Sequence, residues 1–162
     1  MPEEQKMMKA KETFNTLCRM LDNRKWNYQK DEDKLFIKSC VNGEDLPIDF
    51  IIRVNPKNEV VSYISWLPFT VSDEKRVDCA LAVCVANYGL PDGNFDYDIA
   101  DGEITFRLTS SYRESALGEK LFEYMLVCAS ATVDEYNDKF LMISKGVLTF
   151  LQFVEMENAK TD

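Results

Sequence analysis

The sequence predicts an α+β domain built on one antiparallel sheet, and three observations predict it. Long amphipathic patterns bracket the chain, and five runs of alternating apolar residues lie between them. Asn42-Gly43, Pro56-Lys57-Asn58 and Asp101-Gly102 are tight-turn sequences between consecutive runs. Strands joined by such turns pair antiparallel, and helices segregated from them in sequence make the class α+β. The order read along the chain is α-β-β-β-α-β-β-α, with long N- and C-terminal helices packed against the sheet. At 162 residues, with no repeat and no Pro/Gly/Ser linker, residues 1–162 read as a single domain.

The first helix spans Glu3 to about Asn23. Met7, Ala10, Phe14, Leu17, Cys18 and Leu21 fall on one face and charges on the other. Leu35 to Val41 is the first strand. In the second, Leu46, Ile48, Phe50, Ile52 and Val54 share a face at a period of two. The third, Glu59 to Leu67, puts Val61, Tyr63, Ser65 and Leu67 on one side and Val60, Ser62, Ile64 and Trp66 on the other. Both sides are partly apolar, which predicts a cover over the second.

Pro68 ends that strand in this reading, and a helix follows, capped by Thr70 or Ser72 and carrying Asp73 and Glu74 in its first turn. Val77, Ala80, Leu81, Cys84 and Tyr88 line one side and Val83 and Val85 the other, the pattern of a helix buried on two sides. Gly89 is its predicted C-cap. A hairpin comes next, Phe95-Tyr97-Ile99 returning as Ile104-Phe106-Leu108. The last helix carries a stripe of Leu117, Leu121, Met125, Cys128, Thr132, Tyr136, Phe140 and Ile143. Gly146 is placed to break it before the apolar tail 147–154.

Composition narrows the function. A formal charge of −9 repels nucleic-acid phosphates and anionic lipids. No run approaches the ~18–20 apolar residues of a membrane span, and the N-terminus has no secretory signal. Five scattered cysteines (Cys18, Cys40, Cys79, Cys84, Cys128) fit reduced thiols and a cytoplasmic setting. The chain contains no histidine, which removes the usual neutral-pH base, every Ser-His or Cys-His dyad and the commonest metal ligand. Lysine or carboxylate chemistry survives that test without a motif to suggest it. The sequence therefore points to no catalytic residue, cofactor or metal ligand.

Three patterns come near to chemistry. Cys79 and Cys84 are five apart on a helix and diverge by about 140°, so they do not converge on a metal. Asp92-Gly-Asn94-Phe-Asp96-Tyr-Asp98, ending at Glu103, spaces its oxygens like a calcium loop. It has Tyr97 where that loop needs glycine and a strand where it needs a helix. Phe36, Tyr63 and Trp66 could stack bases, but the chain carries no basic patch beside them. Met7, Met8, Met20 and Met125 read either as core or as an adaptable surface.

The order of elements and a set of local patterns resemble the YbjN-like family, small bacterial proteins labelled sensory transduction regulators with a type III secretion chaperone-like fold. The carrying residues are Trp66-Leu67-Pro68, Lys75-Arg76, Asn87-Tyr-Gly-Leu90, Gly93-Asn94-Phe95-Asp96-Tyr-Asp98 and Asp101-Gly102-Glu103-Ile-Thr-Phe106-Arg107. The resemblance covers a core of about residues 5–150. It implies a non-enzymatic, regulatory protein-binding role, often as a homodimer. A dedicated type III secretion chaperone, or a small-molecule binder or enzyme working without histidine, stands as the alternative. Surplus apolar residues mark the candidate partner surface: Ile51 with Tyr63 or Trp66 on the sheet, Val83 on the middle helix, and Val147, Phe150, Leu151 and Val154 in the tail. Burying ~400 Å² of it would contribute ~10 kcal/mol before association costs.

Overall fold

The computed structural model describes residues 2–160. Helix α1, Glu3–Asn23, buries Ala10, Phe14, Leu17, Cys18, Met20 and Leu21, the predicted face except for exposed Met7. No glycine follows it. Lys25 itself takes the left-handed conformation, with φ 54°, and the Trp26 N–H closes onto the Leu21 carbonyl at 2.9 Å. The chain then forms a strand absent from the sequence reading, β1, Gln29–Asp31, which pairs with β2, Phe36–Asn42. Its residues, Gln-Lys-Asp, have no apolar alternation, so pairing alone makes them a strand.

Strands β3, Pro47–Asn55, and β4, Val60–Thr70, follow as antiparallel neighbours. β4 runs through Pro68, where the sequence placed its end. The register shifts between Trp66 and Thr70, and such an irregularity accommodates a residue with no N–H to give the ladder. A single 3₁₀ turn, Asp73–Lys75, leads into α2, Arg76–Gly89. Ser72 does not cap it with its side chain. Its hydroxyl donates instead to the Ser144 carbonyl at 2.9 Å. Gly89 is the last helical residue and keeps a negative φ, so the predicted glycine cap is not formed.

The hairpin of β5, Asn94–Tyr97, and β6, Glu103–Ser111, completes a six-stranded sheet of order β1-β2-β3-β4-β6-β5. Asp98 and Asp101 accept hydrogen bonds from the backbone N–H groups of Ala100 and Glu103, both at 2.8 Å, and shape its turn. The calcium-like spacing is therefore a strand pair with its own Asx turns. Gly102 has φ +81°, and a Cβ there would sit 2.5 Å from the Val71 carbonyl oxygen, which is backbone and cannot yield. Gly102→Ala is expected to cost roughly 1–3 kcal/mol in a urea titration. An unchanged midpoint would show that this turn is not held as described.

Helix α3, Glu119–Ser144, is the long closing helix. Gly146, with φ +70°, breaks the chain after it, and α4, Phe150–Asn158, follows. Thr149 and Gln152 form a reciprocal capping box at its start. α1 and α3 lie against the strands, α2 flanks β5, and α4 packs on α2. Ile37, Ile48, Phe50, Ile52, Val54, Val61, Tyr63, Leu67, Phe95, Ile104, Phe106 and Leu108 form the buried face of the sheet. No other element lies over the opposite face among the described residues, so the predicted intramolecular cover is absent.

Candidate functional site

Two apolar surfaces are left outside the core. The first is the open face of the sheet. Strand register places Lys38, Ile51, Ile64 and Arg107 in one cross-strand row, with Phe36, Arg53, Ser62 and Thr109 in the next. Trp66, 41% exposed, is two residues beyond Ile64 on the same face. Phe36, Ile51, Ile64 and Trp66 thus form a diagonal across β2, β3 and β4. Arg53 lies over the Phe36 ring at 5.7 Å, and Arg107 pairs with Asp96 at 2.8 Å.

The second surface is the outer side of α2. From Cys79 to Gly89 this helix carries no charged residue. Its buried side is Cys79, Ala82, Val83 and Ala86. Val77, Leu81, Cys84 and Tyr88, spaced as one helical stripe, face outward, with Leu81 47% and Tyr88 95% exposed. The sequence reading assigned two buried sides to α2; only one is buried, because β5, α3 and α4 all reach it from the same flank. Val147 and Leu151 are exposed on the neighbouring segment, where Gly146 lies beside Lys75 at the start of α2. At the other end Tyr124 and Val127 of α3 are exposed, and the Tyr124 hydroxyl donates to Asp92 at 3.2 Å.

The residues singled out from sequence divide between these places. Ile51 and Trp66 share the open sheet face. Val147 and Leu151 are exposed, while Phe150 and Val154 are half-buried. Tyr63 and Val83 belong to the core: Tyr63 stacks on Phe50 at 4.8 Å, and its hydroxyl meets that of Ser130 at 3.3 Å. Between Tyr63 and Trp66, the pleat decides for Trp66. Met20 and Met125 are core, whereas Met7 and Met8 are exposed. The sequence reading put Ile64 on the Trp66 side of its strand but named neither Ile64 nor Phe36 as part of the partner surface, although their period-two spacing from buried neighbours carried the signal.

Asn87, at the end of α2, has a separate role. Its side-chain nitrogen donates to the Phe95 carbonyl at 2.9 Å, and its side-chain oxygen accepts from the Phe95 N–H at 2.7 Å. One amide thus satisfies both outward backbone groups of Phe95 on the edge of β5 and obstructs strand addition there. Asn87→Ala leaves both groups unpaired and is expected to cost about 1–3 kcal/mol, with increased self-association on heating. Wild-type stability by urea titration would count against this role.

Reactive chemistry finds little here. Burial, with Asp78 adding to it, pushes the Cys79 thiol up to about 12, and burial also raises Cys18, so neither is a ready nucleophile. Among the described residues, no three His, Cys, Asp or Glu side chains are grouped as metal ligands. An open cleft of about 440 Å³ between the start of α1 and the β3–β4 turn is lined by Glu3, Lys6, Met7, Pro56 and Lys57. Among the described residues, no helix is long and apolar enough to cross a membrane.

Known structures share this arrangement. A chain of the HopA1–SchA chaperone–effector complex superposes with TM-score 0.57 at 10% identity, over 76% of this chain and 91% of that one. A chain of the ExsC–ExsE complex gives 0.55 at 10%, over 78% and 92%. YbjN from E. coli, described as a candidate transcription regulator, gives 0.56 at 11%, again over 78% and 92%. The fold is YbjN-like and secretion chaperone-like. No protein-family model matches the chain, and no curated protein matches it. At these identities the likeness to YbjN and the chaperones is one of fold, and fold alone does not supply function.

Proposed function

We propose that this chain is a non-enzymatic, cytoplasmic module that binds a protein segment and works as a homodimer. The observation that carries this reading is the outer stripe of α2. A surface helix ordinarily presents charge to water, and this one presents Val77, Leu81, Cys84 and Tyr88. Tyr124, Val127, Val147 and Leu151 add further exposed apolar side chains to it, and a stable interface takes roughly 800 Å² from each partner. A second copy fits such a surface well. A two-fold contact apposes identical stripes, and stripes without charge bring two chains of −9 together with no local repulsion.

The fold neighbours that occur in a chaperone–effector complex support a protein as the other partner. Size-exclusion chromatography with light scattering tests the dimer, whose expected mass is twice the 18.7 kDa of the chain. A monomer at all concentrations would remove the homodimer. A finer reading, a dedicated secretion chaperone, draws on the same fold likeness. A secretion gene cluster beside the gene would support it, and a genome with no such system would exclude it.

A further inference from the structure

The open sheet face is distinct from the α2 stripe, and its pattern specifies an occupant. Phe36, Ile51, Ile64 and Trp66 run diagonally over two inter-strand spacings and four residues of strand, roughly 17 Å in all. That is the length of about three helical turns. Strands pairing edge to edge would follow the strand direction, whereas a diagonal stripe suits a helix lying across the sheet with anchors near i, i+4 and i+7.

Cations flanking the diagonal outnumber the unpaired carboxylates beside it. Lys38 lies on one side of the diagonal and Arg53 and Arg107 on the other. Among the described residues neither Lys38 nor Arg53 has an ion-pair partner. The carboxylates of this face are Asp96, already paired with Arg107, and Asp31, Asp49 and Glu103. Asp31, opposite Phe36, accepts from the Lys34 N–H and pairs with the Lys34 ammonium at 4.0 Å. Asp49, two residues from Ile51 on the same face, has no ion-pair partner among the described residues. Glu103 pairs with Thr70, beyond the end of the diagonal. On a chain of charge −9, an apolar diagonal flanked by two unpaired cations, Lys38 and Arg53, against one unpaired carboxylate, Asp49, favours an apolar stripe edged with carboxylates.

We infer that this face binds one acidic amphipathic helix of a partner protein, its apolar stripe along Phe36, Ile51, Ile64 and Trp66 and its carboxylates against Lys38 and Arg53. The inference rests on the protein-binding reading above and names the chemistry of the segment bound.

Two synthetic helical peptides of about three to four turns test it, one with a leucine stripe edged by glutamate and one with the same stripe edged by lysine. Trp66 reports directly, because the other tryptophan, Trp26, is held by Ser39 at 2.9 Å on the covered side. The glutamate peptide is expected to shift Trp66 emission to the blue and to bind at least tenfold more tightly than the lysine peptide. Ile64→Glu should abolish the shift, and Lys38→Glu with Arg53→Glu should reverse the preference while leaving the fold intact. Equal binding of both peptides, or unchanged binding by Ile64→Glu, would overturn the inference. So would conversion of a dimer to a monomer by Ile64→Glu, which would give the face to a second copy. Because the dimer is read separately through Leu81, loss of one reading leaves the other standing.

Discussion

Phe140→Ala is expected to destabilise the protein by about 3–5 kcal/mol. Phe140 is fully buried where three elements meet. Its ring is 5.2 Å from Phe95 of β5, 5.8 Å from Tyr136 one turn back on α3, and 6.1 Å from Phe153 of α4. The cavity cannot close easily, because each neighbour is held elsewhere. Phe95 also packs edge-on against Phe106 at 5.0 Å, and the Tyr136 hydroxyl donates to Glu157 at 2.7 Å. Phe153 is the one fully buried residue of α4, so losing Phe140 loosens that helix as well. Urea unfolding and hydrogen exchange check this. The expected result is a lower midpoint at unchanged slope, with early exchange in residues 150–158. A loss below about 1 kcal/mol, the scale of a surface substitution, would refute the docking of α4 through this cluster.

Leu81→Glu is expected to dissociate the dimer while leaving the monomer folded. Leu81 sits mid-stripe and is about half exposed in the isolated chain, so the change costs little within one copy. In a two-fold contact the substitution appears twice, and each copy would bury an unpaired carboxylate. A central interface residue is worth at least about 2 kcal/mol, so two copies give roughly 4 kcal/mol, close to a thousandfold in Kd. Light scattering reads the mass, and thiol labelling reads the surface. Cys40 and Cys84 are the exposed thiols among the described residues. Cys84 should react slowly in the wild type and rapidly in Leu81→Glu, while Cys40 reacts alike in both. Rapid labelling of Cys84 in a wild-type dimer would move the interface off α2.

Much of the architecture was legible before any coordinates. α1 needed only its spacing of apolar residues. The hairpin of β5 and β6 followed from Asp101-Gly102 and the alternation around it, and the break before the tail from Gly146, while the helix α4 in that tail came from the structure. β1 was not legible, because Gln29-Lys30-Asp31 becomes a strand only through its pairing with Phe36–Lys38. The passage of β4 through Pro68 was hidden for a related reason, since a proline reads as a stop unless the neighbouring strand is known to shift its register there.

For the candidate surfaces the division runs along the same line. Which residues share a face follows from covalent geometry, a period of two in a strand and of 3.6 in a helix. The chain therefore determined by itself that Ile64 accompanies Trp66, that Leu81 accompanies Cys84 and Tyr88, and that no histidine takes part in any site. Which face turns inward depends on what packs there. α2 carries two apolar sides, and only the approach of β5, α3 and α4 decides that Val83 is buried and Leu81 exposed. β4 likewise carries two, and only the placement of α1 and α3 decides that Tyr63 is core and Trp66 surface. Hydrophobicity favours burial of either side, and tertiary packing selects the one that is covered.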